Sequence, residues 1–231
     1  MSKEALVRLI GLRKSFTKGK ETISIFDHLD LGIPRGDFVA IMGPSGSGKT
    51  TLLNLVGGID RPDAGEIHIG GMRTDALSER ELARWRGANI GFIFQFYNLM
   101  PMLTAAQNAE LPLLLTKLGV KERRRHVETA LEIVNIAERS KHYPREMSGG
   151  QQQRVAIARA IVSDPKLLLC DEPTGDLDRS SADEILSTLQ LLNRDLDKTI
   201  IMVTHDPAAA RYARRTLHLD KGSFIEQELA A

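Results

Sequence analysis

Residues Gly43 to Thr50 read GPSGSGKT and match the spacing G-x-x-x-x-G-K-[ST] of a phosphate-binding loop. Glycines let such a loop curl so that its N–H groups point at phosphate oxygens. We expect Lys49 to reach the β- and γ-phosphates and Thr50 to give its hydroxyl to Mg²⁺. An ordinary Gly/Ser turn is the alternative, but the apolar run before the loop and the helix predicted from about Gly48 disfavour it. The predicted nucleotide contacts here are Gly43, Pro44, Ser45, Gly46, Ser47, Gly48, Lys49, Thr50 and Thr51.

Two adjacent carboxylates, Asp171 and Glu172, follow the apolar run 167–170. A strand that carries such a pair at its carboxyl end is typical of a Walker B site, in which Asp171 would hold Mg²⁺. Glu172 would then act as the general base that polarises the attacking water. Such pairs are also common at solvated strand ends, so the functional interpretation depends on the phosphate loop elsewhere in the chain.

A second possible anion site begins at Ser148, in the sequence Ser-Gly-Gly-Gln shortly before the Walker B strand. Ser148 and Gln151 have capping-box spacing, and Gly149 and Gly150 would leave the first amides of a helix open. A plain capped helix start is the alternative. The position of this segment between a phosphate loop and a Walker B strand favours a site.

The elements that must position these motifs alternate along the chain. Apolar runs at 37–42, 166–170 and 199–203, separated by helical stretches, predict a parallel sheet that is covered on both faces. In such sheets, ligands bind beyond the carboxyl ends of the strands. The runs at 5–10, 23–31 and 66–69, with a tight turn at 220–222, predict a small, mainly antiparallel sheet. Residues from 97 to about 160 are helical in pattern, and capping-box spacing at Thr104/Gln107 and Ser181/Glu184 predicts two helix starts.

Composition narrows the class of protein. Lys and Arg number 31 against 30 Asp and Glu, a formal net charge of +1, which disfavours a dedicated nucleic-acid binder. The single cysteine, Cys170, excludes an internal disulfide and is expected to be a buried thiol. The polar start at residues 1–4 predicts no secretory signal, and no apolar run approaches the ~20 residues of a membrane-spanning helix. A membrane role is therefore expected to come through a partner.

With these motifs in this order, the chain resembles an ABC-transporter ATP-binding subunit over essentially its whole length. The resemblance implies an α/β fold: a P-loop (RecA-like) core with a mainly parallel sheet, a flanking antiparallel β subdomain and an inserted helical subdomain. It implies one ABC ATPase domain over residues 1–231, with the nucleotide-binding core at 1–95 and 161–231 and the helical signature subdomain at 96–160. ATP and Mg²⁺ are the implied ligands.

Further site residues follow from the resemblance alone. Phe16 matches the aromatic residue that stacks on adenine, although Tyr is commoner there. Gln95 matches the glutamine that contacts Mg²⁺ and the water, and His205 matches the switch histidine at the γ-phosphate. Asp178 matches the D-loop aspartate, although Gly175-Asp176 replaces the commoner Ser-Ala. The catalytic set is therefore expected to be Glu172, His205 and Gln95, and the metal set Thr50, Gln95 and Asp171.

Residues 91–115 are similar to the lipoprotein-release and macrolide-export (LolD/MacB-like) subgroup, although Gln107-Asn108 replaces the commoner Glu-Asn. This similarity implies separate FtsX-like membrane subunits and a location at the cytoplasmic face of the cell (inner) membrane. A cluster of large apolar residues after Gln95 predicts an exposed docking surface; filling of the helical core is the alternative. The cluster is Phe96, Tyr97, Leu99, Met100, Met102 and Leu103.

Two phosphate-binding elements in one chain predict a head-to-tail dimer around two ATP molecules, in which Lys49 and Ser148 of different copies share one site. The rival interpretation is a non-transport ABC ATPase that acts on DNA or the ribosome. Such a protein would need a long coiled-coil insertion before the signature or a second cassette. This chain has one of each motif and only Phe96 to Met147 between Gln95 and Ser148. Transport is therefore favoured, and no nucleic-acid partner is expected.

Overall fold

A computed structural model describes residues 4–19 and 21–225; residues 1–3, at the polar start, lie outside it. The ten strands of the described part are β1 Ala5–Lys18, β2 Glu21–Pro34, β3 Phe38–Met42, β4 Ala64–Ile69, β5 Met72–Arg73, β6 Ile90–Phe94, β7 Leu167–Asp171, β8 Thr199–Val203, β9 Arg215–Asp220 and β10 Ser223–Ile225. The seven α-helices there are α1 Lys49–Val56, α2 Glu79–Asn89, α3 Ala105–Glu110, α4 Val120–Ile133, α5 Gly149–Ile161, α6 Arg179–Arg194 and α7 Pro207–Ala210. Short 3-10 helices occupy Leu111–Leu115, Ala137–Arg139 and Pro144–Glu146.

A six-stranded sheet forms the centre of the molecule, in the order β10-β9-β3-β8-β7-β6. All neighbours in it run parallel except the β9–β10 pair. The predicted parallel sheet is therefore confirmed. Because β3, β8, β7 and β6 are adjacent, the residues that follow them line one edge of the sheet.

The apolar strands of this sheet contribute side chains to two hydrophobic clusters, one on each face of the sheet. Leu168 and Cys170 on β7 face the cluster formed with α3 to α6, whereas Leu167 and Leu169 face the cluster formed with α1 and the second sheet. Strands β3 and β8 alternate in the same way. Side chains on a strand point to opposite faces in turn, so a strand covered on both faces must be apolar throughout.

The second sheet is antiparallel, with four strands in the order β2-β1-β4-β5. Its first two strands are longer than the predicted runs because β-bulges and register shifts let the pair continue through polar residues such as Arg13 and Asp27. The turn at 220–222 is confirmed, but its assignment to the antiparallel sheet is wrong. Strand β9 pairs in parallel with β3, from Val39↔Arg215 to Met42↔His218, and its Leu219 is buried in the core that the two sheets share.

The helical part runs from α3 to α5, and its helices share one apolar core with the central sheet, to which Ala109, Val127 and Val155 contribute. The capping box at Thr104 and Gln107 is confirmed. The predicted box at Ser181 and Glu184 is wrong: α6 begins at Arg179, and Asp178 is its cap, accepting from the Ser181 backbone N–H at 3.0 Å. An ionised carboxylate placed at the N-cap accepts more strongly than a serine hydroxyl, and Ser181 Oγ itself donates to it at 2.6 Å.

Candidate active site

The phosphate loop lies between β3 and α1, at the carboxyl edge of the central sheet. Gly46 and Gly48 have φ of 81° and 100°, a region that residues with a Cβ rarely adopt. A Cβ at Gly43 would lie 2.1 Å from the Leu219 carbonyl oxygen, so strand β9 leaves room only for glycine there. The loop sequence is therefore required both by local conformation and by close packing.

Lys49 is the first residue of α1, and its Nζ donates to the carbonyl oxygens of Gly43 and Pro44 at 2.8 and 2.9 Å. Gly48, at the N-cap, has no side chain to occupy the first amides of the helix. Open N–H groups, the positive end of the helix dipole and an ammonium group thus converge on one small region. This arrangement suits an anion with several oxygens, such as a polyphosphate.

The candidate metal ligands Thr50 and Asp171 lie side by side, with Thr50 Oγ1 donating to Asp171 Oδ1 at 3.4 Å. Burial raises the pKa of the Asp171 carboxyl, and the charge of Glu172 acts in the same direction, whereas the Thr50 hydrogen bond and Lys49 oppose the rise. A cation beside the pair would favour the ionised carboxylate. Within residues 4–19 and 21–225, no group of three or more His, Cys, Asp or Glu could hold a metal. Two oxygen ligands still fit Mg²⁺, which usually keeps waters and phosphate oxygens.

Glu172 and His205 meet at the next positions along the edge, after β7 and β8. The His205 Nδ1–H donates to Glu172 Oε1 at 2.8 Å. Glu172 has a positive φ of 48°, and its backbone N–H donates to the Val203 carbonyl at 3.0 Å. The turn is thus fixed to β8, and the carboxylate points to the imidazole.

Gln95 follows β6 at the far end of the same row. Its amide packs on the turn after Glu172: a Cβ at Gly175 would lie 3.0 Å from Gln95 Nε2. Among the hydrogen bonds of the described residues, none joins Gln95 to Thr50 or Asp171. Its predicted contact with Mg²⁺ therefore stays a prediction.

The signature residues form the start of α5. Ser148 Oγ accepts from the Gln151 N–H at 3.3 Å, and the Ser148 N–H donates to Gln151 Oε1 at 3.0 Å, which confirms the capping box. A Cβ at Gly149 would lie 2.7 Å from Tyr97 Oη, and one at Gly150 would lie 3.0 Å from Ser181 Oγ. The two glycines thus let neighbouring side chains approach the helix start closely.

The signature lies at the start of α5, whereas the phosphate loop lies between β3 and α1. No hydrogen bond between described residues joins segment 148–151 to segment 43–51. The hydrogen bonds of this chain therefore do not join the two segments into one site.

Two further predicted residues occupy the surface. Phe16 is 45% exposed, and Lys14 Nζ lies 5.0 Å from its ring centre. Asp178 caps α6, and hydrogen bonds from the Ser181 side chain and backbone lower its pKa. Both remain predicted nucleotide contacts, and Asp178 has a helix-capping role in addition.

The model of the ABC transporter family matches residues 26–175. The chain belongs to the ABC transporter family. It is 42% identical to the lipoprotein-releasing system ATP-binding protein LolD of Xylella fastidiosa, covering 96% of this chain and 92% of that one. It is also 43% identical to the macrolide export ATP-binding/permease protein MacB of Marinobacter nauticus, covering 98% of this chain and 35% of that protein. The predicted resemblance to this subgroup is confirmed.

A solved structure confirms the cassette fold. It is the dimeric post-hydrolysis state of the ATP-binding cassette MJ0796, from Methanocaldococcus jannaschii, bound to ADP and Pi. It aligns with a TM-score of 0.88 at 41% identity, over 96% of this chain and 97% of that one.

The sequence motifs did not identify Gln153 as a residue that positions the site. Gln153 on α5 is fully buried, and its Nε2 donates to the Phe94 carbonyl at 3.2 Å and the Pro173 carbonyl at 2.5 Å. It thereby fixes the signature helix to the segments that carry Gln95 and Glu172. A polar residue on the face of a helix that otherwise buries Val155, Ala156 and Ile157 is the signal that could have identified it.

Proposed function

We propose that this chain is the ATP-hydrolysing subunit of an ABC transporter, working with Mg²⁺, a second copy of itself and separate FtsX-like membrane subunits. One observation carries the catalytic part. The phosphate loop, Asp171, Glu172 and His205 follow adjacent strands, with Thr50 and Asp171 at 3.4 Å and His205 and Glu172 at 2.8 Å. Anion binding, metal ligation and general-base chemistry are thus brought to one edge of one sheet.

Substrate binding is assigned to the phosphate loop. The backbone N–H groups between Gly43 and Thr51, to which Pro44 contributes none, would hold the phosphates. Lys49 would exchange its two loop carbonyls for phosphate oxygens. Phe16 would stack on the adenine ring from the antiparallel sheet. Thr50, Asp171 and Gln95 would hold Mg²⁺, which when bound neutralises the charge that develops on the phosphate oxygens.

Hydrolysis needs a base next to the attacking water. Glu172 would accept a proton from the water as its oxygen bonds to the γ-phosphorus and the bond from that phosphorus to the bridging oxygen of ADP breaks. The His205 Nδ1–H, whose nitrogen lies 2.8 Å from Glu172 Oε1, would fix the orientation of the carboxylate. The rest of the imidazole would be free to contact the γ-phosphate. The products are ADP and inorganic phosphate.

The complete site is assigned to two chains. Ser148, Gly149, Gly150 and Gln151 of one copy would close over the ATP bound at Lys49 of the other, with Asp178 near the same interface. Support comes from the lack of hydrogen bonds between the two segments in the described chain and from the dimeric cassette of known structure that it resembles. We propose that the core at 1–95 and 161–231 binds the nucleotide and the signature subdomain at 96–160 covers it.

The membrane partner is assigned to the segment after Gln95. Phe96, Met100 and Met102 are 67%, 48% and 69% exposed, and we call these three residues the apolar docking surface. Tyr97, Leu99 and Leu103 belonged to the predicted surface, but Leu99 packs against the core, and Tyr97 and Leu103 are partly covered. None of the helices in the described ranges has the length and apolar composition to cross a membrane. A membrane subunit seated on the docking surface would hold the chain at the cytoplasmic face.

The substitution Glu172→Gln tests this function. It keeps the size and hydrogen-bonding reach of the side chain but removes the base, so ATP binding should persist while turnover falls by ~10²-fold or more. The ATP-bound dimer should accumulate and be visible by light scattering after gel filtration with ATP and Mg²⁺. Phosphate release at a near-normal rate by this variant would reject the assignment of Glu172.

A further inference from the structure

The side chain of Tyr97 lies between two segments of this chain that the proposed dimer uses in different ATP sites. Its hydroxyl donates to Asp176 Oδ2 at 3.3 Å, on the turn that follows Glu172. On its other side, a Cβ at Gly149 would lie 2.7 Å from the same hydroxyl, so the hydroxyl also packs on the start of the signature helix. Leu177 approaches Gly149 as well, at 3.3 Å from that Cβ position. One phenol group thus contacts both the general-base turn and the signature.

The backbone of this residue is held in an unusual conformation. Tyr97 and Asn98 have φ of 42° and 50°, in the left-handed region that residues with a side chain rarely occupy in succession. Arg159, on the signature helix, donates from Nη2 to the Tyr97 carbonyl at 2.7 Å and from Nη1 to the Asn98 carbonyl at 2.5 Å. The signature helix therefore holds the backbone of Tyr97 by hydrogen bonds and its hydroxyl by packing. Backbone strain that is held in this way is found most often at functional sites.

The general-base turn is short and tied to Glu172. The Gly175 N–H donates to the Glu172 carbonyl at 3.0 Å, and Asp176 is the next residue. A displacement of Asp176 would therefore also move Glu172, the proposed general base. Tyr97 also directly follows Phe96, a residue of the apolar docking surface, in the sequence.

We propose that Tyr97 is a positioning residue for ATP hydrolysis, which holds the turn after Glu172 against the signature helix through its hydrogen bond to Asp176. This inference rests on the proposed function. A hydroxyl on a carboxylate usually approaches to ~2.6 Å, so the 3.3 Å contact can shorten when the dimer closes on ATP.

The state of the phenol supports its role as donor. Burial raises the pKa of Tyr97, and the charge and hydrogen bond of Asp176 act in the same direction. The hydroxyl thus keeps its proton throughout the neutral range in which ATP hydrolysis would be measured.

A double-mutant cycle of Tyr97→Phe and Asp176→Ala in the full chain tests the proposal. Each single variant should lower kcat by about three- to tenfold, the scale of one hydrogen bond, with the KM for ATP unchanged. The double variant should be no slower than the slower single variant, because both changes remove the same contact. Melting temperatures of all three should stay close to that of the parent chain, which separates positioning from folding.

Tyr212→Phe is the matched control. Tyr212 donates to Asp183 on α6 at 2.9 Å, so its removal deletes a bond of the same kind that involves neither Asp176 nor the signature. Its kcat should equal that of the parent chain.

Several results would overturn the proposal. Unchanged kcat in Tyr97→Phe, additive losses in the double variant, an equal loss in Tyr212→Phe, or a loss of kcat that follows the melting temperature would each do so. As a second measurement, Tyr97→Phe in the Glu172→Gln background should weaken the ATP-trapped dimer, and an unchanged dimer would contradict the inference. If the Glu172→Gln chain itself forms no dimer with ATP, the proposed function fails instead.

Discussion

Single side chains in this cassette often serve both the fold and the site. Asp178 is the clearest example, since it caps α6 and is also a predicted nucleotide contact. The two Ser181 hydrogen bonds lower its pKa, so its ionised form is stabilised by folding. The capping role predicts a loss of stability on substitution, and the nucleotide role predicts a loss of turnover, so the two can be measured separately.

Asp178→Ala should lower the melting temperature by about 2–4 °C, because α6 loses its N-cap acceptor. Asp178→Asn keeps a capping oxygen and should lose much less. The lowered folded pKa sets the sign of the pH dependence. The stabilisation is present above the ordinary value of 3.8 and disappears as pH falls through the lower folded pKa. Thermal scans from neutral to acidic pH check both points, and an Ala variant as stable as the parent chain at pH 7 would contradict the capping role.

The candidate site residues that could be predicted from the sequence are those that belong to a short, contiguous motif. The phosphate loop, the carboxylate pair and Ser148 were found because each motif is contiguous. Gln153 and the Tyr97–Asp176 contact were not, because their partners are distant in sequence: Gln153 bonds to Phe94, and Tyr97 to Asp176. Such contacts depend on how β6, β7 and α5 pack, which no local pattern encodes.

At the scale of elements, the central strands could be predicted because both of their faces pack into hydrophobic cores. Such strands are continuous apolar runs, which are visible in the sequence. The assignment of the last hairpin failed for a related reason. Strand β9 alternates polar and apolar residues, which suits an antiparallel edge, yet it pairs in parallel with β3 and carries the carbonyl that confines Gly43. A short strand at the edge of either sheet would have the same local pattern.

The segment from Phe96 to Leu103 is only partly a surface. Phe96 and Met102 are exposed, whereas Leu99 packs against the core of the helical part. A sequence window cannot separate these residues, because the turns between β6 and α3 have no regular period. The structure divides them into exposed side chains and side chains that pack against the fold.

Replacing Phe96 and Met102 by Asp should leave the melting temperature and ATP binding of the isolated chain unchanged, because both side chains are exposed. Co-purification with the membrane subunit and its effect on hydrolysis should fall together. Leu99→Asp is the control, and it should lower the melting temperature by burying a charge in the core. Full retention of the membrane subunit by the Phe96/Met102 variant would place the docking surface elsewhere.

At the scale of the whole molecule, one chain carries one part of each of two proposed ATP sites. The carboxyl edge of the sheet holds the groups proposed to bind phosphate and metal. No hydrogen bond within the described chain joins the signature at Ser148 to them. A two-fold dimer would complete both sites at once, and the cassette of known structure to which this chain is similar is itself dimeric. The central claim is therefore that Lys49 and Ser148 act together from different copies.

Mixing Lys49→Ala chains with Ser148→Arg chains tests that claim most directly. Each variant alone has both sites damaged. In a mixed dimer both lesions fall in one site and the other site is intact, so hydrolysis should exceed that of either variant alone. About half of randomly paired dimers are mixed, so activity up to about a quarter of the parent rate is predicted if the sites act independently. Mixed dimers proven by two different affinity tags, yet as inactive as either variant, would contradict the shared site.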